Sequence, residues 1–73
     1  MYNGYKNWAH WNVSLWINND EGLYNLAKSF TRRKNRDDAA RLIVAELNDC
    51  GITHTPDGAK YTKTAIKSAI VGY

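Results

Sequence analysis

The chain has 73 residues, a formal net charge of +3 and one cysteine, Cys50. A single cysteine excludes an internal disulfide, which argues against a disulfide-stabilised secreted mini-protein. No segment approaches the ~20 consecutive apolar residues of a membrane span, and residues 1–6 lack the apolar block of a signal peptide. We therefore expect one domain over residues 1–73, located in the cytoplasm and not in a membrane.

Residues 7–18 contain all three tryptophans and fit either a helix or a strand. A helix capped by Asn7 has two apolar faces, one with Trp8, Trp11 and Leu15 and the other with Val13, Trp16 and Ile17. A strand would alternate apolar and polar residues, except at Trp16. Periodicity does not decide between the two, and we favour the helix because a lone strand lacks a partner. We expect Trp11 and Leu15 to anchor the core, Trp8 to be partly exposed, and Trp16 to close a second core layer or to face another subunit.

Two further helices are predicted in the middle of the chain. The first covers residues 20–30, where Asn18 and Glu21 have capping-box spacing and an apolar stripe consists of Leu23, Leu26, Ala27 and Phe30. The second covers residues 36–50, between an N-cap at Asn35 and a C-terminal glycine at Gly51. Its apolar residues follow helical spacing.

The C-terminal part predicts a turn followed by a last helix. Pro56, Asp57 and Gly58 favour a turn, and short arms around it could pair as a β-hairpin within residues 52–62, although a plain loop fits nearly as well. The last helix begins at a Thr62 cap, and Tyr73 could extend it. The predicted fold is therefore a mainly α, small single domain of three or four short helices, with this hairpin as the one candidate β element.

Basic residues concentrate in the connection at residues 31–35 and just after it. The cluster consists of Arg32, Arg33, Lys34 and Arg36. Such a cluster can contact nucleic-acid phosphates or an acidic protein surface, or it can simply be a solvated linker whose charge Asp37 and Asp38 partly offset. These four residues are the candidate nucleic-acid or acidic-partner site.

Aromatic residues form the second candidate site, for a protein partner. Tyr2, Tyr5 and Trp8 belong to or border an N-terminal arm at residues 1–6, which could dock on its own domain or on a partner. Tyrosine, tryptophan and arginine are enriched in interface hot spots. With Trp16, these residues are the candidate protein-interaction site, and a helix with two apolar faces would also suit a homo-oligomer.

The opening of the chain resembles a family of small, mostly phage-encoded domains without a characterised function. That family begins with Asn-Tyr-Glu-Thr-Trp-Asn-Val, continues with Leu-Trp, and then has Asn-Asp-Glu-Gly-Leu-Tyr. The matching positions are Asn7, Trp11, Asn12, Val13, Leu15, Trp16 and residues 19–24, whereas residues 8–10 depart from the pattern. Residues 55–62 also look like a recurring tail of the group. The resemblance implies a phage or mobile-element origin and brings no established activity.

These observations lead to a main hypothesis and an alternative. The main hypothesis is a phage accessory protein that binds a host protein, for instance an inhibitor of host defence of the anti-CRISPR kind. The alternative is a small nucleic-acid-binding module that uses Arg32, Arg33, Lys34 and Arg36. We expect no enzyme activity, no cofactor and no metal site, because His10, His54 and Cys50 lack the spacing of zinc ligands and no nucleophile–base pair is evident.

Overall fold

Four helices make up most of the chain in a computed structural model that describes residues 2–73. They are α1 (Trp8–Asn19), α2 (Glu21–Thr31), α3 (Arg36–Asp49) and α4 (Lys63–Ala69). The helices pack around one hydrophobic core, which confirms the prediction of a mainly α, small single domain. Residues 7–18 therefore form the helix that we favoured. Its N-cap is Asn7, whose side chain accepts a hydrogen bond from the His10 backbone N–H at 2.9 Å.

One residue, Asp20, ends α1 and begins α2. Its backbone N–H donates to the Trp16 carbonyl at 3.0 Å, and its carboxylate accepts from the Leu23 backbone N–H at 2.9 Å. The predicted capping box was therefore wrong about Asn18, because Asp20 is the N-cap of α2. A carboxylate in this position satisfies a free backbone N–H and complements the helix dipole. Asp20 is thus the one residue that connects the two helices.

The core face of α1 is not the one that we predicted. Four of its five buried residues recur at helical spacing, at His10, Val13, Ser14 and Ile17, and the fifth is Asn12. Trp11 is only half-buried and Leu15 is 37 % exposed, so the predicted core anchors were wrong. Both faces are apolar, and the hydrophobic pattern therefore did not distinguish them.

Both ends of α3 are capped as predicted. The Asn35 side chain accepts from the Asp38 backbone N–H at 2.8 Å. At the other end Gly51 has φ +78°, its N–H donates to the Asn48 carbonyl at 2.9 Å, and the Ile52 N–H donates to the Leu47 carbonyl at 2.8 Å. This pair of bonds is a Schellman motif. Helix α3 ends at Asp49, one residue earlier than predicted.

The last helix begins at the predicted cap, where the Thr62 hydroxyl accepts from the Ala65 N–H at 3.1 Å. It ends at Ala69, so Tyr73 does not extend it; Gly72 has φ +87° and turns the chain away from the helix. The expected stripe of α4 is buried, at Ala65, Ile66, Ala69 and Ile70.

The segment at residues 52–61 is a tight loop, not a two-stranded hairpin. Its β-type pairing is one isolated bridge between His54 and Lys60. Side chains tie the loop to α1 instead: Thr55 Oγ1 donates to Asn12 Oδ1 at 2.6 Å, and Asn12 Nδ2 donates to Asp57 Oδ2 at 2.9 Å. These bonds to α1 hold the loop where strand pairing would otherwise have been needed.

The described part of the N-terminal arm is folded against its own domain. Tyr2 and Tyr5 exchange two backbone hydrogen bonds, of 2.8 and 2.7 Å, around a turn in which Asn3 has φ +47° and Gly4 has φ +87°. Asn-Gly is the preferred pair for such a turn, because both residues need a positive φ. The Tyr2 ring lies 5.1 Å from the Trp11 ring. Trp11 is thus covered by the arm and does not reach the core.

Candidate binding surfaces

A basic groove runs along the outer face of α2 and has a volume of about 590 Å³. We call it the α2 groove, and it is lined by Tyr24, Asn25, Lys28, Ser29, Arg32 and Arg33. The first four of these residues are one, three, four or five positions apart, on neighbouring rows of α2, and Arg32 and Arg33 directly follow its last residue. Three of the six carry a positive charge, and none carries a negative one. The apolar stripe of the same helix faces the core, so the opposite face is free to present this charge.

Two tyrosine rings fix the position of Lys28 in the groove. Its Nζ lies 5.0 Å from the centre of the Tyr73 ring and 5.6 Å from that of Tyr24, and the two rings are themselves 5.5 Å apart. The Tyr73 hydroxyl also donates to Asn18 Oδ1. Burial raises the pKa of Tyr73, and the neighbouring Tyr24 and Tyr5 hydroxyls add to this. Tyr73 is therefore attached to α1 and α2 beside the groove.

The positive charge of the α2 groove is not neutralised within residues 2–73. In that part of the chain, the ion pairs join Asp38 to Arg41 and Asp37 to both Lys63 and Lys67. Asp37 and Asp38 thus do not offset Arg32 and Arg33, contrary to the linker interpretation of the sequence. Cations at the end of α2 are locally favourable, because the helix dipole is negative there.

The acidic side chain at the start of α3, Asp37, connects this helix to α4. The Lys63 ammonium lies 3.0 Å from one carboxylate oxygen and the Lys67 ammonium 3.2 Å from the other. These two bonds, in that order, hold the pKa of Asp37 below its usual range. The two lysines on the flank of α4 therefore meet an acidic residue of their own chain.

A second pocket, of about 390 Å³, lies where the starts of α1 and α3 meet α4. We call it the His10 pocket, and it is lined by Lys6, His10, Arg36, Thr64, Lys67, Ser68 and Val71. The structure thus divides the basic cluster that the sequence suggested: Arg32 and Arg33 line the α2 groove, Arg36 lines the His10 pocket, and Lys34 lines neither of them. Linear proximity had placed these residues in one site, but a helix start between Lys34 and Arg36 separates them.

His10 and Ser68 form a contact that sequence reasoning missed. The Ser68 hydroxyl lies 3.3 Å from His10 Nδ1, although the two residues are 58 positions apart in the chain. The regular spacing of His10 with Val13 and Ile17 was a signal that this histidine faces inward. The pair has the residue types of a nucleophile and a base, but within residues 2–73 no carboxylate hydrogen-bonds the ring to orient it.

The predicted aromatic site is dispersed over different surroundings. Tyr2 covers Trp11, and Tyr5 lines a separate cleft with Asn18 and Tyr73. Trp8 is 40 % exposed, as expected. Trp16 is half-buried and lines an apolar cleft with Ile52 and Pro56.

The indole of Trp16 is also bonded to the loop at residues 52–61. Its Nε1–H donates to Asp57 Oδ2 at 2.9 Å, beside the bond from Asn12. The two bonds, from Asn12 first and Trp16 second, lower the pKa of Asp57. Trp16 thus has a structural partner within the chain, and this partner fixes the loop.

Two further observations concern metals and membranes. Within residues 2–73 no group of three or more histidine, cysteine or acidic side chains lies close enough to hold a metal ion, and Cys50 is exposed and free. None of the helices in that part of the chain is long and apolar enough to cross a membrane.

The described part of the chain is a small helical domain with two basic surfaces. The chain belongs to DUF7249, a family of unknown function, whose model matches residues 1–72. Neither a curated protein nor a solved structure matches the chain.

Proposed function

We propose that this protein is a phage accessory protein that acts by binding a host protein, and that the α2 groove makes the principal contact. The observation that carries the proposal is the charge of the groove: Lys28, Arg32 and Arg33 line it, and its described lining holds no carboxylate. Such a surface is complementary to an acidic patch on a partner. The proposal involves no cofactor and no catalytic step.

The composition of the groove supports protein binding over nucleic-acid binding. Stacking of unpaired bases requires accessible ring faces, whereas Lys28 already lies over the rings of Tyr24 and Tyr73. Arginine and tyrosine together are typical of protein interface hot spots. The proposed phage origin rests on the resemblance of residues 7–24. Because of that origin, the first partner to test is a host defence complex, such as a CRISPR effector, that the protein would inhibit.

The nucleic-acid alternative is supported by the same free charges. Arg32, Arg33, Lys34 and Arg36 are exposed, and no ion pair within residues 2–73 involves them. Phosphate contacts through such groups would weaken steeply with added salt. This alternative requires Arg36 to act with Arg32 and Arg33, from which the fold separates it.

A capture experiment with charge-reversed variants tests the proposal. The tagged protein is incubated with nuclease-treated lysate of a bacterial host, beside the variant Arg32→Glu/Arg33→Glu. The matched control is Arg41→Glu/Lys60→Glu, which changes the net charge equally at exposed residues outside the α2 groove. We expect a specific protein to bind the wild type and the control but not the Arg32/Arg33 variant, and the purified partner to bind directly.

The outcomes separate the hypotheses. Binding through the α2 groove would be contradicted if both variants lost the captured protein equally. It would also be contradicted if no sample captured a specific protein. A gel shift that decreases with salt and disappears in the Arg32/Arg33 variant, without a captured protein, would favour the nucleic-acid alternative instead. Size-exclusion chromatography of the purified chain shows whether it forms the homo-oligomer that the exposed Trp8 and Leu15 of α1 would suit.

A further inference from the structure

The His10 pocket is a second basic surface, and the proposed function does not use it. It lies between three elements, since Lys6 precedes α1, Arg36 begins α3 and Lys67 is on α4. We propose that this pocket binds a terminal phosphate group, either inorganic phosphate or a phosphate monoester. The proposal is independent of the α2 groove and of the protein partner proposed for it.

The charge around the pocket favours an anion. Lys67 is paired with Asp37, but Asp37 also binds Lys63, so one carboxylate is shared by two ammonium groups. Lys6 and Arg36, which also line the pocket, make no ion pair within residues 2–73. The lining of the pocket therefore carries positive charge and includes no carboxylate.

A buried histidine, His10, is among the residues that line the pocket. His10 is only 9 % exposed, and its Nδ1 is 3.3 Å from the Ser68 hydroxyl. When this hydroxyl donates to Nδ1, the ring hydrogen is on Nε2. Every buried side-chain nitrogen and oxygen within residues 2–73 has a hydrogen-bond partner, and Nε2 has none there. Nε2 is therefore not closed off from solvent, and in this tautomer it can donate to a ligand in the pocket that His10 lines.

The number of donors fits a terminal phosphate better than a carboxylate or a phosphodiester. A phosphate monoester has three terminal oxygens and a charge of about −1.5 to −2 near neutral pH, whereas a carboxylate has two oxygens and one charge. The guanidinium of Arg36 can bind two oxygens at once, the ammonium groups of Lys6 and Lys67 add charge, and His10 can add a donor when its ring hydrogen is on Nε2. A volume of about 390 Å³ holds the group with part of its ester.

Heteronuclear NMR titration at constant ionic strength tests the site. The ligands are inorganic phosphate, O-phosphoserine and dimethyl phosphate, and the reporters are the His10 imidazole and the Ser68 and Arg36 backbone amides. We expect saturable shifts at these residues with phosphate and phosphoserine, and binding of dimethyl phosphate at least about tenfold weaker, because it carries one charge and two free oxygens. Tighter binding of phosphoserine than of phosphate would identify a monoester as the source, and equal binding would identify free phosphate.

Variants distinguish a specific phosphate-binding site from general electrostatic attraction. Arg36→Gln should weaken phosphate binding about tenfold, which corresponds to the loss of a charge-assisted hydrogen bond. The matched control is Lys34→Gln, an exposed cation two residues away that lines neither basic surface, and it should change the affinity less than about twofold under the same salt. Circular dichroism checks that both variants retain the helical fold.

Three results would overturn the proposal. The first is the absence of saturable shifts at His10 and Ser68. The second is equal weakening by Arg36→Gln and Lys34→Gln, which would indicate diffuse attraction. The third is equal affinity for dimethyl phosphate and inorganic phosphate.

Discussion

Each tryptophan of α1 has a distinct environment, determined by its position around the helix. Trp16 directs its indole N–H to the Asp57 carboxylate, and Trp11 packs against the Tyr2 ring. Trp8, in the first turn, is the most exposed of the three. The large rings thus cover the outside of α1, while smaller β-branched residues fill the core. Close packing of helices favours this arrangement, since α4 packs against α1 and buries small residues, Ala65 and Ala69.

The two apolar faces of α1 should differ in their contribution to stability. Ile17 is 0 % exposed and Leu15 is 37 % exposed, and truncation to alanine removes the same number of carbons from each. We expect Ile17→Ala to lower the free energy of unfolding by about 2–5 kcal/mol and Leu15→Ala by about 1 kcal/mol or less. Urea denaturation followed by circular dichroism measures both.

A milder variant keeps this comparison valid if Ile17→Ala does not fold. Ile17→Val should cost about 0.5–1.5 kcal/mol and leave a measurable transition. Equal losses for Leu15→Ala and Ile17→Ala would show that the face with Trp8 and Trp11 belongs to the core after all.

At the scale of helices, the ends were more predictable than the faces. Asn7, Asn35, Thr62 and Gly51 were each predicted correctly as caps, because capping depends on local hydrogen bonds between residues close in the chain. The core face of α1 depends on which side α4 covers, and this is a contact between distant residues. The same reason explains the missing hairpin: loop residues 52–61 are held by Asn12 of α1, which no local pattern indicates.

Glycine substitutions at two helix ends should have opposite effects. Gly51 has φ +78°, so Gly51→Ala should destabilise the fold by about 1 kcal/mol, because a Cβ is unfavourable in the left-handed region. Gly22 lies in the first turn of α2, where an added Cβ would meet Asp20 Oδ2 at 3.4 Å, an ordinary contact. Gly22→Ala should therefore stabilise the protein by about 0.5 kcal/mol.

Thermal unfolding of the two variants beside the wild type measures this difference. The expected order of melting temperatures is Gly22→Ala, wild type, Gly51→Ala. A lower melting temperature for Gly22→Ala would show that the contact with Asp20 disturbs the N-cap of α2.

At the scale of the whole molecule, the candidate surfaces were only partly predictable. The sequence identified Arg32, Arg33 and Arg36 as candidates, but the fold divides them between the α2 groove and the His10 pocket. The pocket itself could not be predicted, because Lys6 and Ser68 come from opposite ends of the chain. Surfaces that form where distant segments meet require the tertiary structure, whereas a run of like charges is visible directly.

Two carboxylates link separate parts of the fold and should make its stability sensitive to acid. Asp57 joins the loop to α1 through Asn12 and Trp16, and Asp37 joins α3 to α4 through Lys63 and Lys67. Both have a lowered pKa in the folded protein relative to the ordinary value of 3.8. Between the folded and unfolded pKa values the unfolded chain binds more protons, so stability rises with pH in that interval.

We therefore expect the full contribution of both carboxylates to be present above about pH 4 and to be lost as the pH falls through their folded pKa values. Asp57→Asn should lower the free energy of unfolding near neutral pH, because the amide cannot supply a charged acceptor to Asn12 and Trp16. The free energy of unfolding of this variant should also decrease less steeply as the pH falls. Asp49→Asn is the matched control, since Asp49 makes no ion pair within residues 2–73, and it should retain the wild-type slope. Urea denaturation at a series of acidic pH values measures the slopes. An unchanged slope in Asp57→Asn would show that the loop does not depend on this carboxylate.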